Sequence, residues 1–542
     1  MPREIHFKID GKEVIAKEGE TVIQVAHREG IQIPHFCYHP GLPIDGNCRM
    51  CIAKFAAPRG DKIVPFPKPM TTCTTYPTEG MEVDTTSQEV QEMRRGIMEF
   101  LLINHPLDCP VCDQAGECTL QDYAYTYGRD KGRFQEEKVH KHTKNMGKYV
   151  ALWGERCIVC TRCVRFLDHI SGTSEIGVVH RGDHAVVDIF EGHPLDNPLS
   201  MNVIDICPVG ALVSRDFLFK QRVWFMQSAK TICTACSKGC NIFVDYDQHK
   251  LYRIRSRPNL DVNQWWICDY GRMYYKHVQR EDRLKEFYER QEDQLQPKPN
   301  REVIQNAIEH LKNNSQQTAF LASLHLTLEA MYLTYKLAQH LEISHIGALQ
   351  NPILDDEVFP GFTIEGDKNP NRKGFQLIFG QDALENGLSK ILELIQKQKI
   401  QTLLLISCIP DFQPPEELLH ALKTLNKLIL IDISQSPFLD YAHWALAGST
   451  YTEEDGCFIN SRGNYQIAQM ALPTPGTAEQ THAILQRLIF AWKGETKEPI
   501  SQRGVRKAMF KELPELSQLK EEKSYPHLSN NPQGTKAVGL YW

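Results

Sequence analysis

Fifteen of the seventeen cysteines lie within the first 268 of 542 residues, and with one histidine they sort into four sets of four. The sets are Cys37, Cys48, Cys51, Cys73; His105, Cys109, Cys112, Cys118; Cys157, Cys160, Cys163, Cys207; and Cys233, Cys236, Cys240, Cys268. Four side-chain ligands are what one iron–sulfur cluster takes from a protein. A fold built around four such sets must bring distant loops together at each. An odd total of cysteines fits a full disulfide set poorly, and a reduced cytosolic chain favours metal over disulfides.

The spacings differ from set to set. The first, Cys37-x10-Cys48-x2-Cys51-x21-Cys73, lies beside a period-two hairpin pattern. Residues 4–9 and 13–16 alternate around Asp10-Gly11, and a short helical pattern runs from Glu20-Thr21 to Val25. This is the order of a β-grasp domain with a [2Fe–2S] cluster; a four-cysteine zinc site is the other reading. Pro58 to Pro69 reads as a loop insertion. Residues 86–104 predict a helix with Val90, Met93, Ile97 and Leu101 on one face, ended by Asn104-His105-Pro106. That delivers His105 to the three cysteines that follow it. A zinc site of three cysteines and one histidine competes there with [4Fe–4S].

The third set, Cys157-x2-Cys160-x2-Cys163 with Cys207-Pro208, is close to a bacterial ferredoxin run. Cys207-Pro208-Val209-Gly210-Ala211-Leu212 reads as the tail of a second run that has lost its own three cysteines. The fourth, Cys233-x2-Cys236-x3-Cys240-x27-Cys268, is similar to the N-terminal [4Fe–4S] domain of molybdopterin oxidoreductases, with zinc again the competing reading. Cys408 and Cys457 have no ligand-spaced partners and read as buried small apolar residues.

Beyond a polar boundary at Glu289 to Glu302 the texture changes. Strand-like runs at Ala319–Leu324, Phe375–Phe379, Leu403–Ser407 and Lys427–Ile433 alternate with helix-like segments such as Leu326–Leu341. This predicts an α/β domain with a mainly parallel sheet. The composition is ordinary for a globular protein, 42% apolar and 24% charged. The net charge of −6 carries no like-charged block of the kind that binds nucleic acid. No run reaches the ~18 apolar residues of a spanning helix, and the N-terminus has no apolar signal region.

The order of the four sets, followed by an α/β domain, resembles the large iron–sulfur subunit, in its bacterial G-type form, of respiratory NADH:quinone oxidoreductase (complex I). The resemblance covers about residues 1–470. It implies a β-grasp [2Fe–2S] domain over 1–84, a histidine/three-cysteine segment over 85–125 and a ferredoxin-like domain over 126–220. A molybdopterin-oxidoreductase-type [4Fe–4S] domain over 221–288, a degenerate α/β domain over 289–490 and a C-terminal tail over 491–542 follow. It implies one [2Fe–2S] and three [4Fe–4S] clusters, no molybdenum, and the sixteen residues above as their ligands. The first three clusters would pass single electrons from a flavin- and NADH-binding subunit toward a quinone-side iron–sulfur subunit, and the fourth would lie off that path. The chain would then be a peripheral part of a membrane complex, on the cytoplasmic face of the bacterial inner membrane, with no membrane span and no nucleic-acid partner.

A catalytic formate dehydrogenase-type subunit is the alternative. Thr452-Glu453-Glu454-Asp455-Gly456-Cys457-Phe458-Ile459-Asn460-Ser461-Arg462-Gly463 resembles a worn molybdopterin-family segment. However, Asp269-Tyr270-Gly271-Arg272 lacks the lysine expected after the fourth set, and no cysteine lies between Cys268 and Cys408. An [FeFe] hydrogenase would need two complete ferredoxin runs, and a non-redox protein with four zinc sites would make the spacings coincidental.

Overall fold

A computed structural model describes residues 3–180, 182–519 and 521. They form two compact units, one of residues up to 226 with 359–362, the other of 227–358 and 363 onward.

In the first unit, alternation in Glu4–Ile9 and Lys12–Lys17 gives an antiparallel hairpin, with Phe7 opposite Val14. Asp10 and Gly11 both have positive φ (49° and 80°), as a two-residue turn with the strands' own twist requires. Glu82–Asp84 joins Glu4–Ile9 in parallel, and Ile52–Arg59 and Lys62–Pro65 complete the main sheet. Thr21 and Gln24 form a capping box at the start of the helix Val22–Arg28. Val22, Ile23, Val25 and Ala26 pack on Phe7, Ile9, Val14 and Phe55, with Cys51 and Cys73 in the same core.

Two details differ from the sequence reading. Residues 58–69 are not a simple loop, because Ile52–Arg59 and Lys62–Pro65 pair as a hairpin turning at Gly60 (φ 61°). Pro58 and Pro65 sit in the terminal ladder of the sheet, where a missing N–H is tolerated. The predicted helix forms over Gln88–Leu102, but its buried stripe is Val90, Arg94 and Met98 rather than Val90, Met93, Ile97 and Leu101. Arg94 turns inward because its guanidinium donates to the carbonyls of Thr85 (2.9 Å) and Ile52 (3.1 Å).

The rest of this unit is irregular chain pinned by short elements. These are the helices Thr119–Tyr127, Arg162–Phe166 and Asn202–Ile206, and a small sheet of Thr143–Asn145, Val150–Trp153 and Leu212–Ser214.

The second unit opens with an antiparallel sheet of Gln227–Ile232, Asn241–Asp247 and Lys250–Ser256. A seven-stranded sheet follows, in the order Gln294–Lys298, Phe287–Gln291, Trp444–Ala447, Lys427–Asp432, Thr402–Ile406, Thr318–Ser323, Ile346–Leu349. Its last five strands are parallel. Helices Asn300–Asn313, Leu328–His340 and Thr481–Lys493 cover one face and Gly387–Gln396 and Glu416–Leu422 the other, each face with its own apolar core. This is the predicted mainly parallel α/β domain. The polar stretch read as a boundary, Glu289 to Glu302, supplies most of its antiparallel edge hairpin, whose residues are largely half-buried.

Phe375–Phe379, read as a strand, belongs to the helix Arg372–Phe379. Phe375 and Ile378, three apart, are buried while Leu377 is exposed, which is helical periodicity in a short apolar run. Within the stretch read as a tail, Gln502–Glu512 is a helix that buries Val505 and Met509. Residues 522–542 lie outside the described residues. Among the described residues no helix is long and apolar enough to cross a membrane.

A buried ion pair ties the worn segment to the α/β core. Arg283 and Glu453, 2% and 3% exposed, meet in a fork of 2.9 and 2.7 Å. Glu453→Gln strands the guanidinium and should destabilise the second unit by about 3–5 kcal/mol. The check is denaturant unfolding followed by tryptophan fluorescence; an unmoved midpoint would contradict the pairing. Asp432, at a strand end, has no cation paired with it among the described residues, and burial pushes its carboxyl up to about 6. In the unfolded chain the carboxyl regains its ordinary lower value, so this group stabilises most in acid and loses that contribution as pH rises through about 6. The stability difference between native protein and Asp432→Asn should grow by roughly 2–3 kcal/mol between pH 7 and pH 4.

Candidate metal centres

The first set sits where the loop after Val22–Arg28 meets two strand ends. Cys51 precedes Ile52–Arg59 and Cys73 follows Met70–Thr71. The thiols approach in two pairs. Cys48 Sγ accepts the amides of Phe36 and Cys37, both at 3.4 Å. A hydrogen bond to Cys48 draws the Cys37 thiol down to about 6 and one to Cys73 lowers Cys51, while Cys48 and Cys73 are pushed up. Two thiols at each of two places suit a binuclear site with four cysteine ligands.

In the second set the structure brings Cys109, Cys112 and Cys118 within electrostatic reach of one another. Cys109 is exposed and the other two are buried. His105 follows the helix Gln88–Leu102, as predicted. Burial lowers its imidazole to about 4, so it is neutral, and its Nδ1 is buried with no hydrogen-bond partner. No hydrogen bond joins it to the three thiols; it shares with Cys112 the neighbours Asp108 and Arg156. A neutral imidazole with an unengaged nitrogen is what a metal ligand requires.

All four cysteines of the third set line one cavity, together with Arg162 and Val209. The loop wraps by placing Val159 and Thr161 at φ 49° and 60°, a left-handed conformation that β-branched residues rarely adopt. Amides of Val209, Ala211 and Leu212 point at the Cys207 sulfur, offsetting part of the upward push of burial.

The same Cys207-Pro208-Val209-Gly210 segment touches the second set. A Cβ on Gly210 would fall 2.3 Å from Cys112 Sγ, and the Pro208 carbonyl accepts the Thr119 amide at 3.1 Å. A residue with a side chain at 210 would have to push the second set away from the third.

The fourth set lies in the second unit, and its cysteines are all buried and mutually close. Cys268 caps Asp269–Met273 and accepts the Gly271 amide at 3.3 Å. A Cβ on Gly271 would approach Cys233 Sγ to 3.0 Å, so glycine keeps that side open. The lysine missing after Cys268 is replaced by one from elsewhere, since the Lys368 ammonium bears on Cys233, Cys236 and Cys268. Cys408 and Cys457 are buried as expected, with Cys457 hydrogen-bonded to the Tyr465 hydroxyl at 2.8 Å.

Sequence reasoning passed over the arginines, and these test whether anionic clusters fit. Arg162 is 2% exposed. Its guanidinium donates to the carbonyls of Tyr38 (2.6 Å) and Ile206 (3.1 Å), and its Nε has no partner among the described residues. Its electrostatic neighbours are Cys160, Cys37 and Cys48, besides Arg165. Arg165, also buried, donates to the carbonyls of Cys37, Cys160 and Pro43. Arg156 reaches Asp108 and the Gly210 carbonyl, and Arg222 reaches the carbonyls of Cys109 and Cys112. Buried cations without a carboxylate are costly unless another anion faces them. Thiolates holding an iron–sulfur cluster are such an anion, so the residues fit the group. The available signal was position: Arg162 lies inside the Cys-x2-Cys-x2-Cys run and Arg165 two residues after it.

Comparison with known proteins follows the same order along the chain. Residues 2–88 match a 2Fe-2S iron-sulfur cluster binding domain and 94–133 the NADH-ubiquinone oxidoreductase-G iron-sulfur binding region. Residues 147–213 match the NADH-quinone oxidoreductase subunit 3 ferredoxin-like domain. Residues 226–280 match the molybdopterin oxidoreductase Fe4S4 domain and 298–490 molybdopterin oxidoreductase. The G-type subunit of the NADH-quinone oxidoreductase of Rickettsia felis is 39% identical over 338 residues, 62% of this chain and 49% of that protein. The NADH-ubiquinone oxidoreductase 75 kDa subunit of Reclinomonas americana is 42% identical over 277 residues, 51% of this chain and 39% of that protein. The chain thus spans about half the length, or less, of the curated relatives it matches. Among solved structures, an NAD+-reducing [NiFe]-hydrogenase in the H2-reduced state aligns at 25% identity and TM-score 0.35, covering 40% of this chain and 91% of that one. By its series of 2Fe-2S and 4Fe-4S binding domains and by these relatives, the chain is similar to the large, G-type iron–sulfur subunit of NADH-quinone oxidoreductase.

Proposed function

We propose that this chain is an electron-conducting subunit of an NADH:quinone oxidoreductase. It would take single electrons from a flavin- and NADH-binding subunit and pass them toward a quinone-side iron–sulfur subunit. The observation that carries this reading is a pair of buried guanidiniums, Arg162 and Arg165, that bear on the thiols of Cys37 and Cys160 with no carboxylate paired to them among the described residues.

In this reading Cys37, Cys48, Cys51 and Cys73 hold one [2Fe–2S] cluster. Cys157, Cys160, Cys163 and Cys207 hold a [4Fe–4S] cluster, and His105, Cys109, Cys112 and Cys118 a second. Cys233, Cys236, Cys240 and Cys268 hold a third, off the main path. When bound, such clusters accept and release one electron at a time. The protein's own part is to fix ligand loops, exclude water and tune charge by amides and cations. Amides at Cys48 and Cys207 and the ammonium of Lys368 act in that sense. Neutral His105 in place of a thiolate leaves its site one negative charge fewer, which raises that site's potential. The chain itself brings no acid, base or nucleophile to bear. It would sit peripherally on the cytoplasmic face of a bacterial inner membrane.

Cys160→Ala should abolish one tetranuclear EPR signal and stop NADH-to-quinone electron flow, whereas Cys408→Ala should leave both as they are. Native flux in a fully assembled Cys160→Ala complex would contradict the proposal.

A further inference from the structure

Two sets in the first unit meet across a pair of cations. Asp45 and Asn47, in the loop between Cys37 and Cys48, reach the loop of the third set. The Thr161 hydroxyl donates to Asp45 Oδ2 at 2.5 Å, and Asn47 Nδ2 donates to the Val159 carbonyl at 3.4 Å. Behind this contact lie Arg162 and Arg165. Arg165 Nη2 donates to the carbonyl of Cys37 at 2.5 Å and to that of Cys160 at 3.2 Å, so one nitrogen links a candidate ligand of each set. Its Nη1 holds the Pro43 carbonyl at 2.5 Å, and its Nε reaches the Thr161 hydroxyl at 3.2 Å. Arg162 makes a second bridge, between the residues next to Cys37 and Cys207 in the chain. It runs from the Tyr38 carbonyl, after Cys37, to the Ile206 carbonyl, before Cys207. No carboxylate pairs with either guanidinium among the described residues.

We propose that Arg162 and Arg165 are positioning residues that tie the first and third centres into one electrostatic unit, fixing the spacing of their ligand loops and raising both reduction potentials together. This rests on the cluster reading above. Adding an electron makes a centre more negative by one charge, and a fixed cation favours that state. Because both cations face both sets, removing one charge must disfavour reduction at both.

The experiment is an anaerobic redox titration of the assembled complex, followed by EPR, with iron and sulfide measured on every sample. Arg162→Gln and Arg165→Gln should each lower the reduction constants of the binuclear centre and the third-set tetranuclear centre by tenfold or more, about 59 mV for a one-electron couple. Arg162→Lys and Arg165→Lys keep the charge and should stay near native potentials. If the glutamine variants lose iron while the lysine variants keep both iron and native potentials, the charge requirement stands.

The proposal is overturned if loaded glutamine variants titrate as native protein or if only one centre shifts. It is equally overturned if lysine and glutamine variants shift alike, or if the lysine variants also lose iron, since the arginines would then act by shape alone. Native protein without iron at these two sets would instead overturn the cluster reading itself.

Discussion

The structure of the first unit depends on burying positive charge without negative side chains to match it. Arg162 and Arg165 lie in the interior with carbonyls as their main acceptors. A fold of ordinary stability, about a tenth of a kcal/mol per residue, does not tolerate several such groups unpaired. Their counter-charge must come from the sulfur atoms they face. Ligand loops, short helices and arginines therefore form a single construction around Cys37, Cys160 and Cys207, while Cys51 and Cys73 lie in the apolar core of the first sheet.

The second unit solves the same problem with less strain. Its fourth set stands beside an antiparallel sheet, and Lys368, distant in sequence, bears on it together with the local Lys238 and Arg272. Behind it the seven-stranded sheet has an apolar core on each face and a bidentate buried ion pair, Arg283 with Glu453, at the segment that resembles the molybdopterin family. That segment now closes a hairpin, Gly456–Ile459 with Tyr465–Ala468. Its glutamate serves packing.

How much of this could be read in advance follows from the kind of signal each element leaves. The first hairpin was legible because Asp10-Gly11 specifies its turn, and the parallel strands because buried strands are apolar throughout. Phe375–Phe379 was misread because five residues cannot separate period two from period 3.6. The sorting of cysteines came from spacing alone; the structure brings thiols of each set within electrostatic reach of one another, and among the described residues it draws no three ligand side chains close enough to hold a metal ion. The histidine of the second set is brought near by shared neighbours, Asp108 and Arg156, rather than by contact. The cationic surround left only a positional signal, Arg162 inside the third cysteine run and Arg165 two residues after it. Arg94, Arg162 and Arg165 look like surface residues by composition, and only the carbonyls they reach, contributed by remote loops, explain their burial. The meeting of second and third sets at Gly210 was equally hidden, since it depends on one missing Cβ.

The central claim is that the four sets hold one binuclear and three tetranuclear iron–sulfur clusters. Iron and acid-labile sulfide per chain, measured on anaerobically purified protein together with EPR of the reduced state, test it most directly. The account predicts about 14 irons and as many sulfides, with one binuclear signal. Zinc in place of iron, or protein without iron that nevertheless folds with its arginines buried, would contradict it.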